Sequence, residues 1–308
     1  MPSSTLLSAL SYLGLSKEAA WGTPVTAAKW LPVKSMSPVD DIKTIIDEGK
    51  RGLAAKDFGV LQGVRLANLD YGGDFFVDVV PYLILAILGK DTVTGTAPYT
   101  HLFQLDPAPP SLTFQDYNGF NERQFAGARL SELGLKFASD TGALEWTAKA
   151  LSKVSAAVVK TTPTFGTTAP LLGWQAALAV GGTPVTKLLA FELNIKRVLK
   201  EIFGANNSQD PSNIFAGIVE VTGKLTFDMQ DDVELTHYLS NDEPAVVITL
   251  TQSPNVNLII TLTKCAFEKA QSDRSQEFVR LDAQVRGIYN VTDAGPCQVA
   301  VKNAVATY

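Results

Sequence analysis

Apolar and polar residues alternate with a period of two along several stretches of the chain. Within residues 69–79, Leu69, Tyr71, Phe75, Val77 and Val79 are apolar, whereas Asp70, Asp74 and Asp78 take the intervening places. Successive side chains of a strand point to opposite faces, so this stretch reads as a half-buried strand. The same alternation recurs over residues 191–195 and 219–229, over 144–150 with Trp146 on the apolar parity, and over 279–285. Residues 30–33 form a further short extended segment. Two short helices are expected, over residues 80–88 and 232–239, the second with acidic residues favouring its first turn.

These elements come in two series. The pentapeptide GTPVT occurs at 22–26 and again at 182–186, an offset of 160 (182 − 22). LDYGGDFFVDV at 69–79 aligns with VEVTGKLTFDM at 219–229 at an offset of 150 (219 − 69), with Gly73 over Gly223 and matched parity. Leu144, Trp146, Ala148 and Ala150 align with Val279, Leu281, Ala283 and Val285 at an offset of 135 (279 − 144). Ordered self-similarity of this kind is the mark of an internal repeat. The expected fold is mainly β: two tandem antiparallel sandwich or barrel domains, each with one flanking α-helix. Residues 1–160 make the first domain, 161–172 a Thr- and Pro-containing linker, and 173–308 the second. The falling offsets place about 10 and then about 15 additional residues in the first copy, expected in loops. The charged excursion of residues 34–66 is the longest of these.

Length supports two domains, because 308 residues exceed what one hydrophobic core usually holds. At 46% hydrophobic and 19% charged the chain is folded rather than disordered. A net charge of −5 argues against a strongly basic nucleic-acid reader. Cys265 and Cys297 are too few for a disulfide framework and read as buried free thiols. The N-terminus has no basic region ahead of its short apolar run, so a signal peptide is not expected. Pro81 and Tyr82 interrupt the longest apolar stretch, which is too short to span a bilayer.

No catalytic constellation emerges. His101 and His237 stand alone, without metal-ligand spacing, and read as a strand-edge residue and a helix residue. The residues around Gly217 and Gly223 depart from a phosphate-binding loop in spacing, and Leu225 stands where Ser or Thr is required. Tyr71, Phe75, Trp146 and Phe227 share the inward parity, which makes them core rather than a sugar or base platform. Neither a catalytic residue, a metal site nor a cofactor is expected, and the chain does not read as an enzyme.

The ordered segments LGLSKEAAWGTPVTAAKWLPVKS (13–35), GKRG (49–52), GGDFFVDVVPYLILAILG (72–89), YTHLF (99–103), SLTF (111–114), WQAALAVGGTPV (174–185) and FELNIKR (191–197) carry a resemblance. Together they make the chain similar to the tail tube proteins of phages with long non-contractile tails. Trp30 stands where Phe is more usual, and the DDIKTIIDEG loop is unusually charged.

That resemblance implies a structural virion protein, made in the bacterial host cytoplasm and placed in the tail. It implies stacked rings, with three two-domain chains giving pseudo-sixfold symmetry, around the channel of DNA ejection. The implied partners are the chain itself, the tape measure, tip and terminator proteins, and passing genomic DNA without specific binding; no membrane partner is implied. The polar parity then nominates Asp70, Asp74, Asp78, Glu220 and Asp228 as channel wall. The 34–66 excursion nominates Asp40, Asp41, Lys43, Asp47, Glu48, Lys50 and Arg51 as an inter-ring loop. The rival readings are another virion β-protein, such as a decoration or tail terminator protein, and a carbohydrate-binding or adhesive β-sandwich.

Overall fold

The computed structural model describes residues 7–140, 142–275 and 277–308. In chain order the strands of the first half are β1 (Tyr12–Lys17), β2 (Lys29–Leu31), β3 (Ser35–Met36), β4 (Val39–Asp47) and β5 (Gly59–Asp74). Helix α1 (Pro81–Leu88) follows, then β6 (Gly89–Thr94), β7 (Tyr99–Leu105), β8 (Leu112–Tyr117), β9 (Glu122–Ala138), β10 (Glu145–Ser152) and β11 (Ala156–Val158). The second half holds β12 (Ala176–Val180), β13 (Thr183–Val185), β14 (Leu188–Ile202), β15 (Asn213–Asp228), helix α2 (Val233–Ser240), β16 (Val246–Ser253) and β17 (Val256–Leu262). It ends with β18 (Cys265–Asp273), β19 (Arg280–Gly287) and β20 (Gln298–Asn303).

The strands form two sheets. One runs β18-β19-β15-β14-β9-β10-β5-β3, with β4 also on β5 and with β1, β2, β8 and β11 branching from the N-terminal part of β9. The other runs β13-β12-β16-β17-β20-β7-β6. One apolar cluster joins them, including Tyr71, Phe75, Trp146 and Phe227 at 2% exposure or less, so the inward parity read from sequence is the core. Neither sheet closes into a barrel; the architecture is a β-sandwich.

Both helices are where the pattern places them. Pro81 opens α1 with a pre-set φ and no amide hydrogen to lose, and Asn241 closes α2 in the left-handed region. The strand expected over 69–79 stops at Asp74, and residues 75–80 turn into α1 while Phe75, Val77 and Val79 stay buried. His101 is not at an edge: β7 pairs with both β6 and β20, and its ring is wholly buried between the Asp91 carboxylate (2.9 Å) and the Val305 carbonyl (2.7 Å). Both cysteines are buried and free, their thiols pushed up to about 12 by burial.

The halves repeat one order of elements: a long hairpin (β4-β5, β14-β15), a helix, a second hairpin (β6-β7, β16-β17) and a third (β9-β10, β18-β19). Register irregularities tie them together residue by residue. The long hairpin slips between Ile42 and Thr44 in the first half and between Arg197 and Leu199 in the second, both at an offset of 155 (197 − 42 and 199 − 44). Their partners Arg65 and Gln62 correspond to Val219 and Ala216 at 154 (219 − 65 and 216 − 62). A second slip lies between Lys149 and Ala150 against β9, and between Gln284 and Val285 against β18, at 135 (284 − 149 and 285 − 150). Bulges are conserved features of related folds and so serve as register marks.

This mapping corrects three readings. The offset for β5 and β15 is 154, not 150, so Asp74 lies over Asp228 and Gly73 over Phe227. The hairpin tips, residues 48–58 and 203–212, are nearly equal in length, and residues 34–66 are chiefly hairpin rather than loop. The first half's additional residues are instead β8 with its flanks, between β7 and β9, where the second half passes from β17 to β18 within three residues. The GTPVT segments are not equivalent either: residues 22–26 follow a turn after β1, whereas 183–185 are strand β13 paired with β12.

Candidate channel face and open sheet edges

Strand alternation gives the main run of the larger sheet, β18 to β3, one dry face and one wet face. On the wet face the registers align Asp70, Lys149, Glu132, Lys196 and Glu220 across β5, β10, β9, β14 and β15, a transverse row of alternating sign. Lys149 Nζ lies 3.2 Å and Lys196 Nζ 3.8 Å from the Glu132 carboxylate. A second row carries Asp74, Glu145, Lys136, Glu192 and Lys224. Lys34 reaches over it to Asp74 (2.6 Å) and Glu145 (3.1 Å), and Lys136 bonds Glu145 at 3.3 Å. The Lys34 hydrogen bond holds the Glu145 carboxyl below its ordinary value. On β19, Arg286 pairs with both Glu268 and Glu220, contacts that raise its already high pKa.

Each such exposed pair adds little stability. Their joint effect is electrostatic: a cation stands beside nearly every carboxylate, so the face presents a flat, weak potential rather than a cluster of free cations.

Four of the five nominated wall residues, Asp70, Asp74, Glu220 and Asp228, lie on this face. Asp78 does not. It sits in the turn before α1, half-buried beside Gly166, where burial raises its carboxyl pKa. The lysines of the same rows do not stand out in the sequence, although the parity of Lys149 is visible there.

The nominated inter-ring residues lie on the β4-β5 hairpin. Val39–Asp47 is exposed along nearly its whole length. Ile45 and Ile46 stand opposite Leu61 and Val60, and all four are roughly half exposed or more. Asp47 pairs with Arg51, Glu48 bonds Lys56 at 3.0 Å, and Arg51 lies over the Phe58 ring. Asp40 is bound within the chain, accepting from the Ser155 amide at 2.8 Å and its hydroxyl at 2.5 Å. Asp41, Lys43 and Lys50 are exposed. A bare two-stranded ribbon with apolar side chains on its surface is marginal in water and marks an interaction surface. The equivalent tip of the second half leans onto this ribbon: Asp210 accepts from Arg65 at 2.6 and 3.1 Å, and Gln209 donates to the Gln62 carbonyl at 3.1 Å.

The sheet ends in two open edges, β4 with β3 on one side and β18 on the other. The internal seam where the halves meet is β14 against β9, antiparallel from Ala190–Ala138 to Lys196–Glu132. By the offsets above, β14 corresponds to β3 and β4, and β9 to β18. The two open edges are therefore the unpaired versions of the two strands that pair internally. Pro38, between β3 and β4, removes one ladder donor from its edge, and Glu268 and Lys269 place charge on the other, both common protections against unwanted pairing.

The N-terminal motif KEAAWGTPV has a structural role here. Glu18 is buried and accepts from the Gly22 amide (2.7 Å), the Ser111 hydroxyl (2.6 Å), the Thr113 hydroxyl (2.7 Å) and the Gly127 amide (2.7 Å). Trp21 donates to the Gly127 carbonyl at 3.1 Å. No group of three or more His, Cys, Asp or Glu able to hold a metal occurs among the described residues, and no helix among them is long and apolar enough to cross a membrane.

No curated protein matches the chain significantly. The family model described as phage tail tube protein matches residues 8–293, nearly the whole length and both halves of the fold. The chain therefore belongs to the phage tail tube protein family, a structural component of the virion tail.

Proposed function

We propose that this chain is the major tube subunit, that its two halves are copies of one duplicated domain (residues 1–160 and 173–308, joined by 161–172), and that three chains close head to tail into a pseudo-sixfold ring. The observation that carries this reading is the match between the two open edges and the internal seam. A heterologous contact closes into a ring when its rotation divides a full turn, and strand pairing at these two edges would leave neither end of the β18-to-β3 strand order open.

The wet face lines the channel, and barrel geometry favours three chains. With strands about 4.8 Å apart and tilted about 40°, two chains (16 strands) give a backbone diameter of about 32 Å and three chains (24 strands) about 48 Å. Side chains projecting inward leave the smaller ring without clearance for hydrated duplex DNA. The balanced charge rows suit DNA that slides through and is not held. The β4-β5 ribbon reaches the neighbouring ring, and tape measure, tip and terminator proteins meet the same surfaces at the tube's interior and ends.

Negative-stain microscopy of concentrated protein, alone and with tail-tip components, tests the reading. Hollow tubes with threefold or pseudo-sixfold end views are expected. Monodisperse particles under both conditions would overturn it.

A further inference from the structure

The internal seam is held by an unusual group. Arg197 on β14 is buried, at 3% exposure, and no carboxylate bonds it. Its guanidinium donates to the carbonyls of Ile87 (2.8 Å), Asp106 (2.7 Å) and Gly217 (3.2 Å), and so caps the last turn of α1 from the other half of the chain. Ile87 and Leu88 are fully buried there.

The corresponding position on the open edge is Ile42 (197 − 155), which is 38% exposed. The helices correspond at 152 at both ends (233 − 81 and 240 − 88). The counterpart of buried Ile87 is therefore Leu239 (87 + 152), which is 72% exposed. The open edge and the bare helix end thus each carry an aliphatic side chain at the place where the internal seam uses a cation on carbonyls.

We propose that β4 of one chain pairs with β18 of a second copy in the register Ser37–Asp273, Val39–Gln271 and Asp41–Lys269, seating Ile42 on Leu239. The proposal rests on the reading of the chain as a ring subunit and specifies the ring's seam. The register is that of Glu192–Lys136, Asn194–Gly134 and Lys196–Glu132 shifted by the offsets of 155 and 137 (269 − 132). Two features of the resulting pairing agree with it. Asp41 and Lys269 fall opposite each other with complementary charge, as Lys196 and Glu132 do with the signs exchanged. The exposed aliphatic groups Ile42 and Leu239 meet instead of remaining in water.

The two seams then differ in kind. The internal one is made as the chain folds and depends on hydrogen bonds to buried carbonyls. The outer one is made on assembly, has an aliphatic contact in place of the buried cation and carries a ladder one bond short at Pro38.

Cross-linking within assembled tubes tests the register. The Ser37 amide donates to Asp70 within the chain, so the odd positions of β4 face a neighbour as non-hydrogen-bonded pairs, whose short separation suits a disulfide. Full-length D41C/K269C is assembled under reducing conditions, oxidised and run on a non-reducing gel. Native Cys265 and Cys297 are buried and do not compete. A ladder ending at the cross-linked trimer is expected, with at least a tenfold higher yield than D41C/Q271C, which lies two residues out of register. Folded L239D, with an unchanged circular dichroism spectrum, should form no tubes, and I42D/L239K should recover them. D41C/K269C and D41C/Q271C tubes that cross-link equally, or L239D that assembles normally, would overturn the seam while leaving the tube function standing. Wild-type protein that forms no rings with tip components would overturn both.

Discussion

Asp116 shows what a single buried carboxyl does to this fold. It lies on β8 at 5% exposure, and burial pushes it up to about 6, partly offset by the Tyr71 hydroxyl at 3.5 Å. Its folded pKa exceeds the ordinary value near 3.8, so the native state holds this proton more tightly than the unfolded chain does. The resulting stability is complete below pH about 4 and is lost as pH rises through about 6. Asp116→Asn should therefore raise the melting temperature at pH 7.5, by a free energy of roughly 1–3 kcal/mol, and the gain should shrink towards pH 4 in calorimetry. Glu18 is buried as well, with four hydrogen-bond donors aimed at its carboxyl oxygens. Glu18→Ala leaves those donors unpaired, and thermal denaturation should show a loss of about 2–4 kcal/mol. Neither role is legible in the sequence, which shows a carboxylate but not which distant loops converge on it.

At the scale of elements, sequence carries faces better than registers. The inward parity of Tyr71, Trp146, Leu225 and Leu281 is readable and is the core, because period two survives any even slip. For the same reason the alignment of β5 with β15 can err by four residues and still look right. Only the paired slips at Ile42/Thr44 and Arg197/Leu199, which are cross-strand properties, expose the error. The projecting ribbon is hidden too, since DDIKTIID looks like a charged loop until Ile42, Ile45 and Ile46 are set against β5. Replacing Ile45 and Leu61 together with Ser removes apolar surface that has no partner within the chain. Folding should change by less than about 1 kcal/mol by chemical denaturation, since both side chains are mostly solvated already. Electron microscopy should then show rings that fail to stack, and normal tubes would exclude the ribbon from ring-to-ring contact.

For the whole molecule, the net charge of −5 permits a DNA-tolerant surface but does not locate it. Four of five nominated acids reach one face through parity alone; the balancing lysines become meaningful only when the sheet joins both halves. That balance makes a prediction about assembled tubes. Asp70→Asn with Glu132→Gln and Glu220→Gln would leave Lys149 and Lys196 without their acidic neighbours. Tubes of this variant should retain duplex DNA at low salt and release it as salt rises, with a log–log slope steeper by about one for each phosphate that the freed lysines neutralise. Wild-type tubes should retain none in the same filter assay.

The added strand β8, with β1, β2 and β11 around it, belongs to the first half only and lies off the main strand order of the larger sheet. In a ring of three such chains the lining would repeat six times per turn while this side layer would repeat three times. A linear molecule threading the bore would meet a nearly sixfold corridor, and anything gripping the tube through the side layer would find three handholds at each level. One gene product would thus offer different rotational symmetries to its cargo and to its surroundings.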